Sequence, residues 1–519
     1  MRDAARDKLG PLCLNPQMNW RRSHSFICMV SLAVTAALYS GPASAEEKAS
    51  PPPSGPQSDG PFRKVILDAD RDVDGDGKID DTVVDVMEIS VAHDGSVFLA
   101  ERSGIVKRLD AKGGAAQPIG KISVFGGLED GLLGIALDPR FESNQWLYLM
   151  YSDPVTTTNA SGLKTGENRV ARFTVTDGKL DLHSEKILVR VVTQRDDCCH
   201  SGGSLAFDSA GHLFISTGDN THPFGDSGSY APVDERDGRH AYNSLKSAGN
   251  ANDLRGKVLR ITPQADGTAA IPPGNLFPLG TPNTRPEIYA MGCRNPFRIS
   301  VDQKKNILYW GDVGPDAGGP NPVRGPAGFD EINQAKKAGN FGWPMFAGDN
   351  RPYWNWDFAT GKTNFIYDVA QPRNTSRYNK GPEILPPGQP ALIWYPSGPS
   401  ARFPVLNAGG GRTAMAGPVY YFDPALKSPH KLPKDFDHTL FIYEWSRNWI
   451  VAVHLDENEQ IAKRADGSLA MDKFCPKMTF RRPMDLELGA DGCLYLLENG
   501  TAWQGNRDTQ LVRIEYHPD

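Results

Sequence analysis

A short unit recurs along this chain: a turn built on Asp-Gly or its equivalent, an alternating apolar strand, then a polar turn. Copies run over Asp94–Leu109, Gly211–Gly218, Asn306–Asp312, His438–Trp445 and Asp491–Gly500. One such unit cannot bury both faces of its strands alone, so the copies must stack against one another. Four-stranded blades set radially satisfy that requirement. The 53 glycines and 41 prolines are spread along all 519 residues, which suits many turns and few long helices. The predicted fold is all-β, a six-bladed β-propeller over residues 61–519 with long loops on its top face. The ring is closed by Leu511–Tyr516 pairing with N-terminal strands. A pair of β-sandwiches is the rival arrangement.

The first segment is read as separate from the fold. Arg21 and Arg22 precede an apolar run from Phe26 to Tyr39, and Ala43-Ser44-Ala45 follows as a small-residue cleavage site, so residues 1–45 are expected to be a signal peptide. Residues 46–60, rich in Pro and Ser, are expected to be a disordered linker. The apolar run is short for a bilayer span, so the expected location is periplasmic or secreted with no stable membrane span after cleavage. Removing residues 1–45, with five basic and two acidic side chains, takes the formal net charge from −6 to −9, which argues against nucleic acid as a partner. Five cysteines then remain. Cys475 with Cys493 is one candidate pair, and adjacent Cys198 and Cys199 form another; sequence leaves the choice open.

Candidate chemistry gathers at strand entrances. His200-Ser-Gly-Gly places a histidine before a strand, where Gly202 and Gly203 let the backbone turn sharply. Glu129 precedes an apolar strand, Arg294-Asn295 sits in a turn, and Gly314-Pro315 follows Gly311-Asp312. Asp72, Asp74 and Asp76 alternate around a glycine as in the first half of an EF-hand loop, but Val83 stands where the bidentate glutamate belongs. A calcium loop and an acidic solvated turn both remain open there. Residues 221–252, 314–328 and 345–412 read as long loops on one face, where function concentrates. Trp343, Trp354, Trp356, Trp394 and Trp445 lie in or near them, either to stack on a sugar or to anchor a blade.

Taken together, Glu129–Pro139, His200-Ser-Gly-Gly, Leu254–Ile261, Gly292–Pro296 and Asp330–Pro344 resemble, in order and spacing, the quinoprotein glucose/sorbosone dehydrogenases, also called soluble aldose sugar dehydrogenases. The resemblance implies a six-bladed propeller carrying pyrroloquinoline quinone (PQQ) and a calcium ion. It implies oxidation of an aldose at C1 to a lactone, with electrons passed to an external acceptor such as a separate cytochrome or quinone. His200 would be the general base and Arg294 would stabilise charge on the quinone oxygen. Glu129, Asn220, Arg294, Asn295, Arg447 and Arg482 would line the cofactor, and the backbone carbonyls of Gly314 and Pro315 would hold the calcium. Glu129 and Asn220 stand where some members have glutamine, Arg447 follows Ser446 where a lysine is usual, and Met484 falls where a second arginine follows Arg482.

Two other classes compete: a non-enzymatic propeller that binds glycans or a protein, and a calcium-dependent lactonase. No Gly-x-Gly-x-x-Gly lies between a strand and a helix, which argues against a nicotinamide enzyme.

Overall fold

Six backbone positions with left-handed φ set the architecture: Gly95 (85°), Gln145 (55°), Gly211 (82°), Asn306 (54°), His438 (55°) and Gly492 (76°). Each sits one or two residues ahead of the second strand of a blade, and there it reverses the chain. In four of these turns an aspartate side chain accepts the N–H two residues on: Asp94 from Ser96, Asp208 from Ala210, Asp302 from Lys304 and Asp491 from Cys493.

The computed structural model describes residues 57–70, 82–406, 409–503 and 506–518. The inner strands Val86–Val91, Leu132–Leu137, Gly202–Phe207, Pro296–Asp302, Ala414–Tyr420 and Pro483–Leu488 each open one blade, numbered 1 to 6. Neighbouring inner strands touch around the full circle, the first against the last included. A six-bladed propeller results, and the two-sandwich arrangement is ruled out. Blade 6 closes the ring as expected: Phe62–Ala69 pairs antiparallel with Gln510–Tyr516, from Phe62 opposite Tyr516 to Ala69 opposite Gln510.

The five repeats carry the second strands of blades 1, 3, 4, 5 and 6, and the first copy runs on through the third strand of blade 1, Ile105–Leu109. Blade 2 has its own second strand, Trp146–Ser152, which follows a four-residue helix at Phe141–Asn144 instead of a glycine turn. Two expectations need correction. Ser58–Asp59, inside the stretch read as linker, pairs with Phe62 and Arg63, because Gly60 at φ 56° folds the chain back. The stretch 345–412 is not one loop: it holds two small hairpins and Ile393–Tyr395, the fourth strand of blade 4. The leader at 1–45 and the aspartates Asp72, Asp74 and Asp76 lie outside the described residues. No helix among the described residues is long and apolar enough to cross a membrane.

Charged side chains pin the inner ring. The Glu88 carboxylate of blade 1 accepts Ile135 N–H of blade 2 (2.8 Å) and faces Leu205 N–H of blade 3. Arg298 of blade 4 donates to the Met484 carbonyl of blade 6 (3.1 Å) and to the Met87 carbonyl of blade 1. Burial raises the Glu88 carboxyl well above its ordinary value, against the pull of Arg298. All inner strands begin on the same face, the top face, and their first residues build the site.

Candidate active site

Gly202, at φ 64°, could not carry a side chain: a Cβ there would come within 2.8 Å of Gly218 N. This tight start to blade 3 sets His200 on the top face, where its carbonyl accepts Asn220 N–H at 3.1 Å. The neighbouring Cys198 and Cys199 are joined in a vicinal disulfide. Cys293, Cys475 and Cys493 are buried free thiols, so the alternative pairing of Cys475 with Cys493 does not form.

The residue that organises the site is Asp219, fully buried at the end of blade 3's second strand. Its Oδ1 lies 2.8 Å from His200 Nδ1 and accepts Thr221 N–H at 3.0 Å. Its Oδ2 accepts Ser244 Oγ–H at 2.7 Å and Trp343 Nε1–H at 2.8 Å. Burial opposes its ionisation, but His200, Arg294 and these hydrogen bonds outweigh burial and hold the carboxyl below its ordinary value. An ionised carboxylate only accepts, so Nδ1 carries a proton, and in the neutral imidazole that tautomer keeps its lone pair on Nε2. No described residue hydrogen-bonds Nε2.

Trp343 reaches Asp219 from blade 4 by an unusual path. Gly339–Asn340 adds in parallel to Ala290–Met291, the outer strand of blade 3. Phe341 N–H then donates to Met291 O (2.8 Å) and Trp343 N–H to Gly292 O (2.9 Å). The segment thus climbs the edge of one blade while belonging to the next.

Arg294 and Asn295 are fixed through their backbones. Asp312 accepts Arg294 N–H (3.0 Å) and Asn295 N–H (2.7 Å), while Arg294 Nη1–H donates to Val313 O at 2.7 Å. The guanidinium stands 5.9 Å from the Trp343 ring centre. Asn295 Oδ1 accepts Gly202 N–H at 3.1 Å, tying the arginine turn to the histidine turn. Burial drives the Asp312 carboxyl up to about 7, only partly offset by these N–H donors. Because its folded value lies above its unfolded value, its contribution to stability is full below about pH 4 and is lost as pH rises toward 7. Asp312→Asn keeps one acceptor and removes that slope. In urea unfolding at pH 4 to 8, the gap between variant and wild type should open in the variant's favour with rising pH and level off above about pH 7.

At the Gly314-Pro315 turn, one of the two carbonyls expected to hold calcium is already engaged. The Pro315 carbonyl accepts Arg412 Nη2–H at 2.6 Å, and a Cβ on Gly328 would stand 1.6 Å from that oxygen, so the backbone closes over it. Arg412 Nη1–H also donates to Gly328 O (2.7 Å), and its Nε lies 3.7 Å from buried Asp330. The carbonyl expected to bind a metal cation therefore already serves a buried guanidinium, and a divalent ion beside it would meet like charge.

The sequence profile described as Glucose / Sorbosone dehydrogenase matches residues 84–377. The chain belongs to that family. Aldose sugar dehydrogenase YliI of Escherichia coli (strain K12) is 27% identical to it over 250 residues, which make up 48% of this chain and 56% of that relative. The chain thus spans about half the length of that curated relative. Among solved structures, the apo-form of the soluble aldose sugar dehydrogenase from Escherichia coli superposes with TM-score 0.56 at 19% identity, covering 88% of this chain and all of that one. The PQQ-bound aldose sugar dehydrogenase from Streptomyces coelicolor gives TM-score 0.51 at 18% identity, covering 89% and 99%. At these identities the two structures support the fold.

The other residues expected at a glucose/sorbosone dehydrogenase site are placed unevenly. Glu129 Oε2 accepts Ser201 N–H at 3.3 Å, which puts it beside the histidine. Asn220 does not present its amide to the site: Oδ1 accepts Gln194 N–H (2.7 Å) and Nδ2–H donates to Gln194 O (3.2 Å). Arg447 is held by the carbonyls of Gly411 (3.0 Å) and Pro396 (3.1 Å), so it braces a loop. Arg482 stands on the rim with its guanidinium 4.3 Å from the Trp445 ring centre. Asp219, Ser244 and Arg412 were not assigned a role from the sequence, and Asp312 entered only as part of the Gly311-Asp312 turn. Only the Gly-Asp after a strand at 218–219 and again at 311–312 hinted at two of them.

Proposed function

We propose that the protein is a PQQ-dependent sugar dehydrogenase that oxidises the C1 hydroxyl of an aldose to a lactone. The observation that carries this reading is the contact between buried His200 and Asp219, which in the neutral imidazole leaves Nε2 as a proton acceptor at the top face of the propeller. Nε2 takes the proton from the C1 hydroxyl as the hydride leaves C1, and Asp219 stabilises the imidazolium that forms. Arg294, 5% exposed and fixed by its N–H to Asp312 and its Nη1–H to Val313 O, offers positive charge where an oxyanion develops.

The residues present fit a flat, polyanionic cofactor. Arg294 supplies one cation and Arg482 a second, and buried Trp445 Nε1 has no hydrogen-bond partner among the described residues, so it has a donor to give to an incoming acceptor. PQQ, when bound, supplies the hydride acceptor. Ser201, Asn295 and Trp343 hold the walls in place, and the reduced site then needs an external electron acceptor. With the chain exported, this chemistry would take place in the periplasm or outside the cell.

The test is an absorbance titration of EDTA-treated protein with PQQ, followed by an aldose and a dye acceptor. Saturable binding with a spectrum that bleaches on sugar addition is expected. A spectrum unchanged by protein at micromolar PQQ would defeat the proposal and favour a ligand-binding propeller.

A further inference from the structure

The third strand of blade 6 runs in the same sense as the inner strand, so it ends on the face opposite His200, in Glu515-Tyr516-His517. A loop from blade 5 brings His430 alongside. The His430 carbonyl accepts Tyr516 N–H at 3.0 Å and the Cys493 thiol at 3.2 Å, which fixes its backbone. The His430 and His517 rings lie 4.1 Å apart between centroids, tilted by 31°. Both imidazoles turn toward one carboxylate oxygen: His517 Nε2 is 2.9 Å and His430 Nε2 4.0 Å from Glu515 Oε2. Three potential ligand atoms, one from each residue, lie within 4.8 Å of one another.

We propose that His430, Glu515 and His517 bind a divalent transition-metal ion of the zinc class, with water in the remaining position. Tetrahedral zinc with ligands at about 2.0–2.1 Å separates neighbouring donor atoms by about 3.3 Å, and the observed 2.9 and 4.0 Å bracket that value. Two imidazoles and one carboxylate suit zinc, nickel or copper, whereas calcium and magnesium demand oxygen. Arg513 Nε–H donates to the other carboxylate oxygen at 2.9 Å and orients Oε2 toward the histidines. Glu515 is buried while both histidines are about one-third exposed, so the site has a fixed base and an open entry. A bound ion would join blade 5's loop to the strand that closes the ring, so binding would stabilise closure.

The experiment is calorimetric titration of the EDTA-treated full chain with zinc chloride, paired with thermal unfolding in zinc and in calcium. About one equivalent of saturable binding is expected, with a higher Tm in zinc and none of that rise in calcium. His430→Ala and His517→Ala should each weaken zinc binding by on the order of 10-fold or more. Absence of saturable binding, or unchanged affinity in the double variant, would overturn the proposal. His517→Gln, at a partly exposed side chain near the end of its strand, provides a milder variant for the same comparison. None of these readouts depends on the dehydrogenase reading.

Discussion

His200→Ala is expected to lower kcat/KM for the best aldose by roughly 10²- to 10⁴-fold, the usual worth of a positioned general base, while the protein stays folded. The fold should tolerate it because Asp219 keeps three donors, Thr221 N–H, Ser244 Oγ–H and Trp343 Nε1–H. Asp219→Asn makes the sharper comparison. An asparagine that turns its NH2 toward Nδ1 forces the proton onto Nε2, so the base is present but already occupied. A loss of about the same size, roughly 10²- to 10⁴-fold, is expected with PQQ binding retained. Steady-state kinetics beside an absorbance titration would separate the two effects. Near-normal turnover in His200→Ala would show that the proton goes elsewhere.

The second large effect concerns stability. Arg412→Ala should destabilise the protein by about 3–5 kcal/mol at neutral pH, the range for breaking a buried charge pair. It takes the counter-charge from the Asp330 carboxylate, which keeps the Gly314 and Ala414 N–H donors, and frees the Pro315 and Gly328 carbonyls. Burial already raises the Asp330 carboxyl despite the pull of Arg412, and losing the arginine raises it further. The deficit should therefore shrink as pH falls and Asp330 takes up a proton. Removing the guanidinium also leaves two carbonyls and a carboxylate facing one space, a hard-oxygen set suited to calcium. Millimolar calcium should raise the urea midpoint of Arg412→Ala and leave wild type unchanged. Equal stabilisation of both proteins would mean that Arg412 does not occupy a cation position.

The repeat was legible because five of six first turns use a glycine, an asparagine or a histidine at positive φ beside a strand of clear alternation. The second blade stayed hidden because Gln145, after a short helix, does the same work without a turn-like sequence. At the site, His200 stood out through the glycines that follow it, which are a local signal. Asp219 did not, since its partners lie at 200, 221, 244 and 343, and only the folding of blade 3, with the Trp343 segment laid along its edge, brings them together. Arg412 was invisible for a related reason: it binds backbone carbonyls, and a carbonyl has no letter in a sequence. Asn220 and Arg447 show the reverse case. Their residue types suit a ligand, yet nearby backbone groups claimed them first.

The strand pair that closes blade 6 also decides how this molecule can be attached to a surface. Phe62 and Tyr516 are paired at the same end of that blade, on the side away from His200. A tether to an electrode or resin attached at Phe62 or Tyr516 would hold the propeller by that side and leave the His200 side toward solution, so immobilisation need not obstruct access to the histidine.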